Sequence, residues 1–413
     1  MTTSYWQNTI PAVPLSTDLP STIDVAVIGG GITGASICYW LAREGISTAL
    51  LEKNALAYGA TGRNGGFVIA GPSELYQNSI ASLGHESAKM ILDLTCKSQQ
   101  LLKEVIKEEN IQCDYQEPGS LRLAITEEQL KELSEEAHAL TADGVEATII
   151  DHHQTQSLIK TPISSQIIGA QFIPNQGTVH SARLVQGLVT AACRHGAQAY
   201  QAEVLKIEAA NDVVTLHTSQ GTLQAKKVFV ATNAWVSQLL PQLKDIIIPI
   251  REQMLAYAPI EPIFTAGMAA NLVGLEYWQQ RPDGTIVLGG CGSVEGDARL
   301  RVWDMQTTEK VQDALQTVLP QLFPALTHLQ VTQRWAGLLD YTTDGTPIVD
   351  KLENMPGVYI VAGFSGHGMP FGIRIGQYLS KTINNNLIPT ELKLYRWSRP
   401  TLKEWEIRVT TSN

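Results

Sequence analysis

Residues 25–42, VAVIGGGITGASICYWLA, carry no charged side chain. An apolar run of this length suggests a membrane-spanning helix. It contains five glycine or serine residues, however, where a spanning helix prefers bulky apolar ones. No Lys or Arg precedes Arg43, so the positively charged start of a signal peptide is missing as well. We therefore expect no transmembrane segment, and the run needs a different explanation.

The run divides into a strand, a turn and the start of a helix. Residues 24–28 (DVAVI) form a short apolar stretch typical of a buried parallel strand. Three glycines interrupt it, residues 32–42 have the composition of a helix, and a second apolar stretch, residues 48–51, ends at Glu52. A strand, a helix and a second strand within about thirty residues predict a βαβ unit.

The glycines at the turn match the dinucleotide-binding pattern GxGxxG. Gly29 permits the tight turn, Gly31 lets a pyrophosphate approach the backbone, and Gly34 lets the helix pack closely on the strand. The phosphates are expected at the helix N-terminus, where free N–H groups and the dipole favour anions. Glu52 stands where a carboxylate binds ribose hydroxyls. A plain glycine-rich turn would leave Glu52 unexplained, so the sequence predicts dinucleotide binding.

A second glycine-rich segment, residues 58–66 (YGATGRNGG), follows the βαβ unit. We interpret it as a loop that wraps another side of an extended dinucleotide, with Arg63 near a phosphate. A mobile surface loop is the alternative. The four glycines around a single Arg favour the first interpretation.

The overall composition excludes several classes of protein. The 413-residue chain has a net charge of −10 and a pI near 5.4, so it lacks the basic character of a nucleic-acid binder. Its five cysteines are scattered without a CxxC pair, which argues against a disulfide scaffold or a structural zinc site. No group of His, Cys and Asp has the spacing of metal ligands. We expect a reducing, cytoplasmic location and no bound metal.

The motifs resemble those of the D-amino-acid-oxidase-like FAD-dependent oxidoreductases. This superfamily includes glycine oxidase, monomeric sarcosine oxidase and the γ-glutamylputrescine oxidase branch, and the ATGRNGG loop is most similar to the last of these. Further similar segments are GTVH at 177–180, KVFVATNAW at 227–235, WAG at 335–337, TDGTPI at 343–348 and YIVAGFSGHG at 359–368. The resemblance extends from residue 24 to about residue 376.

The resemblance implies an α/β fold with two domains. A Rossmann-like FAD-binding domain would be assembled from three pieces, residues 1–85, 147–235 and 330–413. A β-rich α+β substrate-binding domain would be formed by residues 86–146 and 236–329.

The same resemblance implies FAD as a non-covalent cofactor. Monomeric sarcosine oxidases attach the flavin through a Cys at the position of Leu339, and other branches use a His where this chain has Asn64. The residues expected to bind FAD are Gly29, Gly31, Ile32, Thr33, Gly34, Glu52, Lys53, Thr61, Gly62, Arg63, Asn64, Gly65, Gly66, Val204, Ala231, Thr232, Trp235, Gly337, Gly363, Ser365, Gly366, His367, Gly368 and Met369.

The reaction implied is hydride transfer to the flavin from a C–H bond beside an amine nitrogen, followed by hydrolysis of the imine. The reduced flavin then passes its electrons to oxygen or another acceptor. A strong general base is not required, because the amine need only be neutral. The candidate catalytic residues are Tyr277, Tyr341, Arg334 and His367. For His367, which lies between two glycines, a place in the flavin cradle is favoured over the role of a base.

One departure from the family pattern concerns the substrate. Glycine and D-amino-acid oxidases carry a Gly-Leu-Arg whose Arg binds the substrate carboxylate, whereas this chain has Leu339 after Gly337 and Leu338. Arg334 and Arg281 are nearby alternatives. We therefore expect an amine, an N-alkylated compound or a larger substrate rather than a simple α-amino acid.

Two other functions stay open at this point. One is a dehydrogenase of the same fold that passes electrons to a quinone at a membrane surface. The other is a flavin-binding protein without turnover, against which the intact flavin loops at both ends of the chain argue. The sequence indicates neither the electron acceptor nor the oligomeric state.

Overall fold

The computed structural model describes residues 2–383 and 387–405. The α-helices are α1 (Tyr5–Asn8), α2 (Ile32–Arg43), α3 (Tyr76–Leu83), α4 (His85–Glu108), α5 (Glu127–Ala142), α6 (His152–Ser157), α7 (Ser181–Arg194), α8 (Val236–Leu239), α9 (Glu309–Leu322) and α10 (Met369–Ser380). The strands are β1 (Thr22–Ile28), β2 (Thr48–Glu52), β3 (Phe67–Val68), β4 (Ser120–Ala124), β5 (Thr148–Asp151), β6 (Gly169–Ile173), β7 (Gly177–Thr178), β8 (Gln198–Gln201), β9 (Val204–Ala210), β10 (Val213–Thr218), β11 (Gly221–Val230), β12 (Ile248–Tyr257), β13 (Gly267–Ala270), β14 (Glu276–Gln280), β15 (Ile286–Gly289), β16 (Val331–Tyr341), β17 (Ile348–Lys351) and β18 (Val358–Ala362).

The predicted βαβ unit lies at the centre of the first sheet. The strand order is β17-β18-β11-β1-β2-β8, and the β9–β10 hairpin extends from β11. Strand β1 pairs in parallel with β2 and β11, which in turn pair in parallel with β8 and β18. The carboxyl ends of these strands therefore share one edge, where open α/β sheets bind ligands.

Both faces of β1 are buried, as expected for a parallel strand covered on two sides. Val25 and Val27 pack with helices α2, α7 and α10 in one hydrophobic core. Ala26 and Ile28 pack on the opposite face with the β9–β11 meander and residues near α8. This double burial explains why the run that opened the sequence carries no charge.

The second sheet has eight strands in the order β16-β12-β15-β14-β13-β4-β6-β5. Its pairs are antiparallel except for β13 with β4. One face packs against α9 through Leu121, Met268, Trp278 and Leu288. The other face is turned toward the carboxyl edge of the first sheet.

Strands β5, β6 and β16 belong to the second sheet, although they fall in the segments 147–235 and 330–413 that were expected to form the FAD-binding domain. They join it because β6 hydrogen-bonds β4 and β16 hydrogen-bonds β12 over its whole length. The division into two domains at those boundaries stays a prediction. Among the described residues, no helix is both long and apolar enough to cross a membrane.

Candidate active site

A cavity of about 960 Å³ lies between the carboxyl edge of the first sheet and the inner face of the second. Its wall on the first sheet is made by the residues that follow the central parallel strands. Glu52 ends β2, Gly29 follows β1 and Ala231 follows β11. The remaining wall comes from the second glycine-rich loop, the loop before α10 and the second sheet.

Most of the residues expected from the sequence meet in this cavity. Those that line it are Gly29, Gly31, Ile32, Thr33, Glu52, Lys53, Thr61, Arg63, Asn64, Gly65, Val204, Ala231, Thr232, Trp235, Tyr277, Gly337, Tyr341, Ser365, Gly366, His367, Gly368 and Met369. Five predicted residues are not on its surface: Gly34, Gly62, Gly66, Arg334 and Gly363.

The turn after β1 depends on two glycines. Gly29 has a φ of +110°, which side chains disfavour, and its N–H donates to the carbonyl of Leu51 at 2.8 Å. Gly34 lies inside α2, where an added Cβ would overlap the carbonyl oxygen of Gly29. Gly34 therefore contributes by letting the helix approach the turn, which leaves the N-terminus of α2 facing the cavity.

Glu52, at the end of β2, is hydrogen-bonded to the glycine turn that follows β1. Its carboxylate accepts hydrogen bonds from the N–H groups of Gly30 at 2.7 Å and Asn54 at 2.8 Å. Burial raises the pKa of Glu52, while these two donors act in the opposite direction. The carboxylate is held in place and keeps lone pairs that ribose hydroxyls can use.

The second glycine-rich loop contains a short 3-10 helix at 60–63, in which Thr61, Gly62 and Arg63 are buried and which packs against α1, α7 and β16. The Thr61 hydroxyl accepts from the N–H of Ile32 at 3.1 Å, which attaches the loop to the start of α2. Trp6 donates to the carbonyl of Asn64 at 2.6 Å, and Trp335 donates to that of Arg63 at 2.9 Å. These contacts fix the loop as one wall of the cavity.

Arg63 is a buried cation that borders the cavity, with 4% of its surface exposed. Its guanidinium donates to the carbonyls of Tyr58 at 3.0 Å and Ala336 at 2.9 Å. Burial lowers the pKa of Arg63, because no carboxylate of the described residues pairs with it. Gly337 contributes indirectly, since its missing side chain makes room for the Arg63 stem.

Asp340 was missed by the sequence analysis. Its carboxylate accepts from the N–H groups of Gly363 at 2.6 Å and Phe364 at 3.3 Å, and from the amide of Asn233 at 3.1 Å. It thereby joins the loop after β18 to the turn after β11. Burial raises the pKa of Asp340 to about 7. The only sequence signal is an acidic residue inside an apolar strand.

His367 lies in the loop before α10, on the cavity surface. Burial lowers the pKa of His367 to about 4, so its imidazole is neutral near pH 7. Its Nε2 makes no hydrogen bond with any residue that the structure describes.

The second sheet contributes two tyrosines. The Tyr277 ring extends over β15, where Gly289 leaves room for it, and meets the Phe67 ring edge-on at 6.0 Å between centroids. Tyr341 lies at the end of β16, with its hydroxyl beside Gly366. Burial raises the pKa of Tyr277 and raises that of Tyr341 to about 12, so both phenols stay protonated at neutral pH.

Further charged groups of the cavity were also missed. Glu252 on β12 forms an ion pair with Arg299, and burial raises the pKa of Glu252 despite that partner. Arg122 on β4 and Glu136 on α5 border the cavity as well. A charged residue at an inner position of a strand is the signal that Glu252 and Arg122 offered.

Arg334, proposed from the sequence as catalytic, is outside the cavity. Its guanidinium donates to Gln312 at 2.9 Å and Gln316 at 3.1 Å on α9, on the other face of the second sheet. Arg281 is likewise outside; it donates to Gln279 at 2.6 Å and lies over the Trp6 ring. Neither takes the place of the carboxylate-binding Arg that related oxidases have at the position of Leu339.

The cavity meets several requirements of a bound dinucleotide. A helix N-terminus and a buried guanidinium face it, and both suit phosphate. The hydroxyl of Thr232 and the Nε2 of His367 are buried polar atoms without a partner among residues 2–383 and 387–405, and both residues border the cavity. Buried polar groups are normally hydrogen-bonded, so these atoms indicate that a ligand completes the site.

Comparisons with known proteins agree with this geometry. The family model described as DAO, FAD dependent oxidoreductase, matches residues 24–382. The gamma-glutamylputrescine oxidoreductase of Escherichia coli (strain K12) is 26% identical over 382 residues, which cover 88% of this chain and 84% of that protein.

Two solved structures share the fold. Glycine oxidase from Geobacillus kaustophilus has a TM-score of 0.79 at 20% identity, covering 92% of this chain and 99% of that one. L-proline dehydrogenase from P. horikoshii has a TM-score of 0.78 at 23% identity, covering 92% and 97%. The predicted α/β fold with a Rossmann-like sheet and a second β-rich sheet is confirmed. The chain therefore belongs to the DAO family of FAD-dependent oxidoreductases, with FAD as its cofactor.

Proposed function

We propose that this protein oxidises a C–N bond of an amine or amino acid and that oxygen reoxidises the flavin. The substrate loses a hydride and a proton and becomes an imine. Water then hydrolyses the imine to a carbonyl compound and an amine or ammonia. Oxygen takes up the two electrons and two protons and leaves as hydrogen peroxide.

One observation carries the proposal: the dinucleotide cradle and the tyrosines of the second sheet border a single cavity. A binding protein without turnover would need only the cradle. Here the cavity continues past it to Tyr277, Tyr341 and the Glu252–Arg299 pair. This extension offers hydrogen-bond donors and charge to a second, small molecule.

The chain's own residues have separable roles in the proposal. Glu52 would accept hydrogen bonds from ribose hydroxyls, and Arg63 and the N-terminus of α2 would face the phosphates. FAD, when bound, supplies the hydride acceptor. The N–H groups of Gly366, Gly368 and Met369, in the loop whose start Asp340 fixes, would donate to the flavin edge where negative charge develops.

The protonation states suit an amine substrate. Only a neutral amine has the lone pair that becomes part of the imine bond. The neutral His367 and the protonated phenols of Tyr277 and Tyr341 add no positive charge beside it. These groups would position the substrate by hydrogen bonds, and water would accept the proton that the amine gives up.

Non-covalent attachment of FAD is part of the proposal. Leu339 borders the cavity where related enzymes have a cysteine, and Asn64 stands at the position of the histidine. Neither side chain is a nucleophile toward the flavin ring. Acid precipitation of the protein should release all of the yellow colour into the supernatant.

The test of the function is an anaerobic screen. Purified holoprotein is mixed with amines, N-alkylated amines and amino acids, and loss of the visible flavin absorbance is followed. Rapid bleaching by at least one amine is expected. No bleaching by any of them would overturn the catalytic proposal in favour of a flavin-binding role.

The acceptor is tested on the reduced protein. Stopped-flow mixing with oxygen should restore the absorbance quickly, with release of hydrogen peroxide. Slow reoxidation by oxygen together with fast reoxidation by a soluble quinone would replace the oxidase with a dehydrogenase.

A further inference from the structure

Arg122 is the cation of the cavity whose partner is not accounted for. It lies in the middle of β4 and borders the cavity, beside the buried Gln171 of β6. In the part of the chain that the structure describes, its guanidinium makes no hydrogen bond and no ion pair. Burial lowers the pKa of Arg122, while the charge of Glu136 acts in the opposite direction.

The other cavity cations are all engaged. Arg299 pairs with Glu252, Lys53 lies 3.6 Å from a carboxylate oxygen of Glu203, and Arg63 donates to two carbonyls. A guanidinium has five N–H donors in a planar fork that matches a carboxylate. Arg122 is partly buried, and an unpaired guanidinium becomes costly once a bound molecule displaces its water, so it is normally compensated by that molecule.

Glu136 does not supply that compensation by contact. It is 6% exposed, and its carboxylate accepts from the backbone N–H of Gln77 at 3.2 Å. It is therefore held by the segment that begins α3 and influences Arg122 only through its field. The donors of Arg122 are left for a ligand.

The register of the second sheet relates Arg122 to Tyr277. Arg122 is aligned with Ala269 of β13, and Ala269 is aligned with Tyr277 of β14, so all three share the inner face. Two strand spacings separate the Cα atoms of Arg122 and Tyr277 by about 10 Å. Ala269, whose side chain is a methyl group, is the residue between them in this row. A ligand lying along this row can contact both side chains.

The position is remote from the place where a related carboxylate clamp would stand. Leu339 is on β16, the edge strand of the second sheet, and four strands lie between β16 and β4. An anion bound at Arg122 is thus separated from a C–N bond near Tyr277 by several atoms. If both side chains stand perpendicular to the sheet, a ligand that contacts both must span most of that spacing, which a simple α-amino acid does not, because its carboxylate is one carbon from its nitrogen.

We propose that Arg122 binds the carboxylate of an extended substrate, so that this enzyme prefers amines whose carboxylate lies several carbons from the oxidised C–N bond. The inference rests on the proposed function, since it names the substrate class of the same site. Arg122 is the specificity-determining residue. It replaces, on another strand, the charge that Leu339 does not provide.

Binding is tested first, without turnover. The holoprotein is titrated with glutarate and, as an uncharged match, glutaramide, and the change in flavin absorption and in Tm is followed. Glutarate should bind at least 10-fold more tightly than glutaramide. Arg122→Leu should lose at least 10-fold in glutarate affinity, and Arg122→Lys, which keeps the charge without the fork, should fall between. Arg183→Leu removes an Arg from an exposed ion pair with Asp114 and should bind glutarate like the wild type.

Selectivity is tested next with 5-aminopentanoate and its amide, which differ only in the charged end. The ratio of their kcat/KM values should be about 10 to 100 in the wild type, the range of a charged hydrogen bond, and near one in Arg122→Leu.

Equal binding of glutarate by wild type and Arg122→Leu would overturn the inference, as would an unchanged kcat/KM ratio. Loss of FAD from Arg122→Lys with unchanged glutarate binding would do so too, because it would make Arg122 a cofactor ligand. If no amine bleaches the flavin, the proposed function fails, but the titration still decides whether Arg122 binds carboxylates.

Discussion

Replacing Asp340 by Asn should change how the stability of this protein depends on pH. Asp340 is 1% exposed and has no cation among its hydrogen-bond donors, which are two backbone N–H groups and the Asn233 amide. Burial raises its pKa from 3.8 to about 7 in the folded protein. Between these two values the folded state keeps a proton that the unfolded chain has released.

The sign of the effect follows from that difference. Because the folded state binds more protons, raising the pH lowers the free energy of unfolding, and the loss is complete once the pH exceeds the folded pKa. Each pH unit is worth about 1.4 kcal/mol, so the whole loss is about 4 kcal/mol. Between pH 5 and 8 it amounts to roughly 3 kcal/mol. Asp340→Asn cannot ionise and lacks this loss.

The assay is urea unfolding of the flavin-free proteins, followed by tryptophan fluorescence at several pH values. The free energy of unfolding of the wild type minus that of Asp340→Asn should fall by roughly 3 kcal/mol from pH 5 to pH 8.

Asp344→Asn is the matched control. Arg399, at 2.7 Å, lowers the pKa of the buried Asp344. The stabilisation by Asp344 is therefore complete above the pKa that Asp has in the unfolded chain, and it is lost only in more acidic solution. The wild type minus Asp344→Asn difference should therefore stay constant over this range. A constant difference for Asp340→Asn would refute the reasoning, since Asp340 would then be ionised at pH 5.

Three further substitutions test the cradle and the cavity charges. Gly34→Ala adds a methyl group that overlaps the turn before α2, and should lower the free energy of unfolding by about 1–3 kcal/mol with loss of flavin, measured by thermal unfolding and absorbance. Gly59→Ala, whose methyl would make only an ordinary contact at 3.5 Å, is its control for stability and should leave the free energy of unfolding close to that of the wild type. Arg63→Ala should raise the Kd for FAD about 10- to 100-fold in a fluorescence titration, and Arg63→Lys should raise it less; equal values for all three proteins would contradict a phosphate contact. Glu252→Gln leaves Arg299 without its carboxylate and should lower the free energy of unfolding by about 1–3 kcal/mol; an unchanged thermal unfolding curve would exclude a stabilising ion pair.

The elements predicted well are those whose signals are local. The strand, turn and helix around Gly29 depend on neighbours in the chain, and the structure has β1, α2 and β2 within two residues of the predicted bounds. Helix α5 also begins at a local signal, because the Thr126 hydroxyl accepts a hydrogen bond from the N–H of Gln129 at 3.2 Å. Such signals do not require knowledge of the tertiary fold.

The residues missed are those placed by pairing between distant segments. Arg122 reaches the cavity only because β4 pairs with β13, and Asp340 acquires its donors only when β16 meets the loop after β18. The catalytic role predicted for Arg334 conflicts with the alternation of side chains along a strand. Gly337 and Leu339 border the cavity, so a residue three positions before Gly337 had to face away. The sequence alone therefore places Arg334 and Gly337 on opposite faces of β16.

The same alternation explains how the second sheet encloses a cavity instead of a second hydrophobic core. Its outer positions are large and apolar, with Met268 and Trp278 packed beneath α9. The inner positions between them are Ala269, Tyr277 and Gly289, in register across three strands. Small residues on both sides of one ring leave the space that the ligand needs, and backbone hydrogen bonds fix the spacing. The Cα spacing between Arg122 and Tyr277 is therefore set by the sheet, and with both side chains perpendicular to it a charge on β4 would select substrates by length.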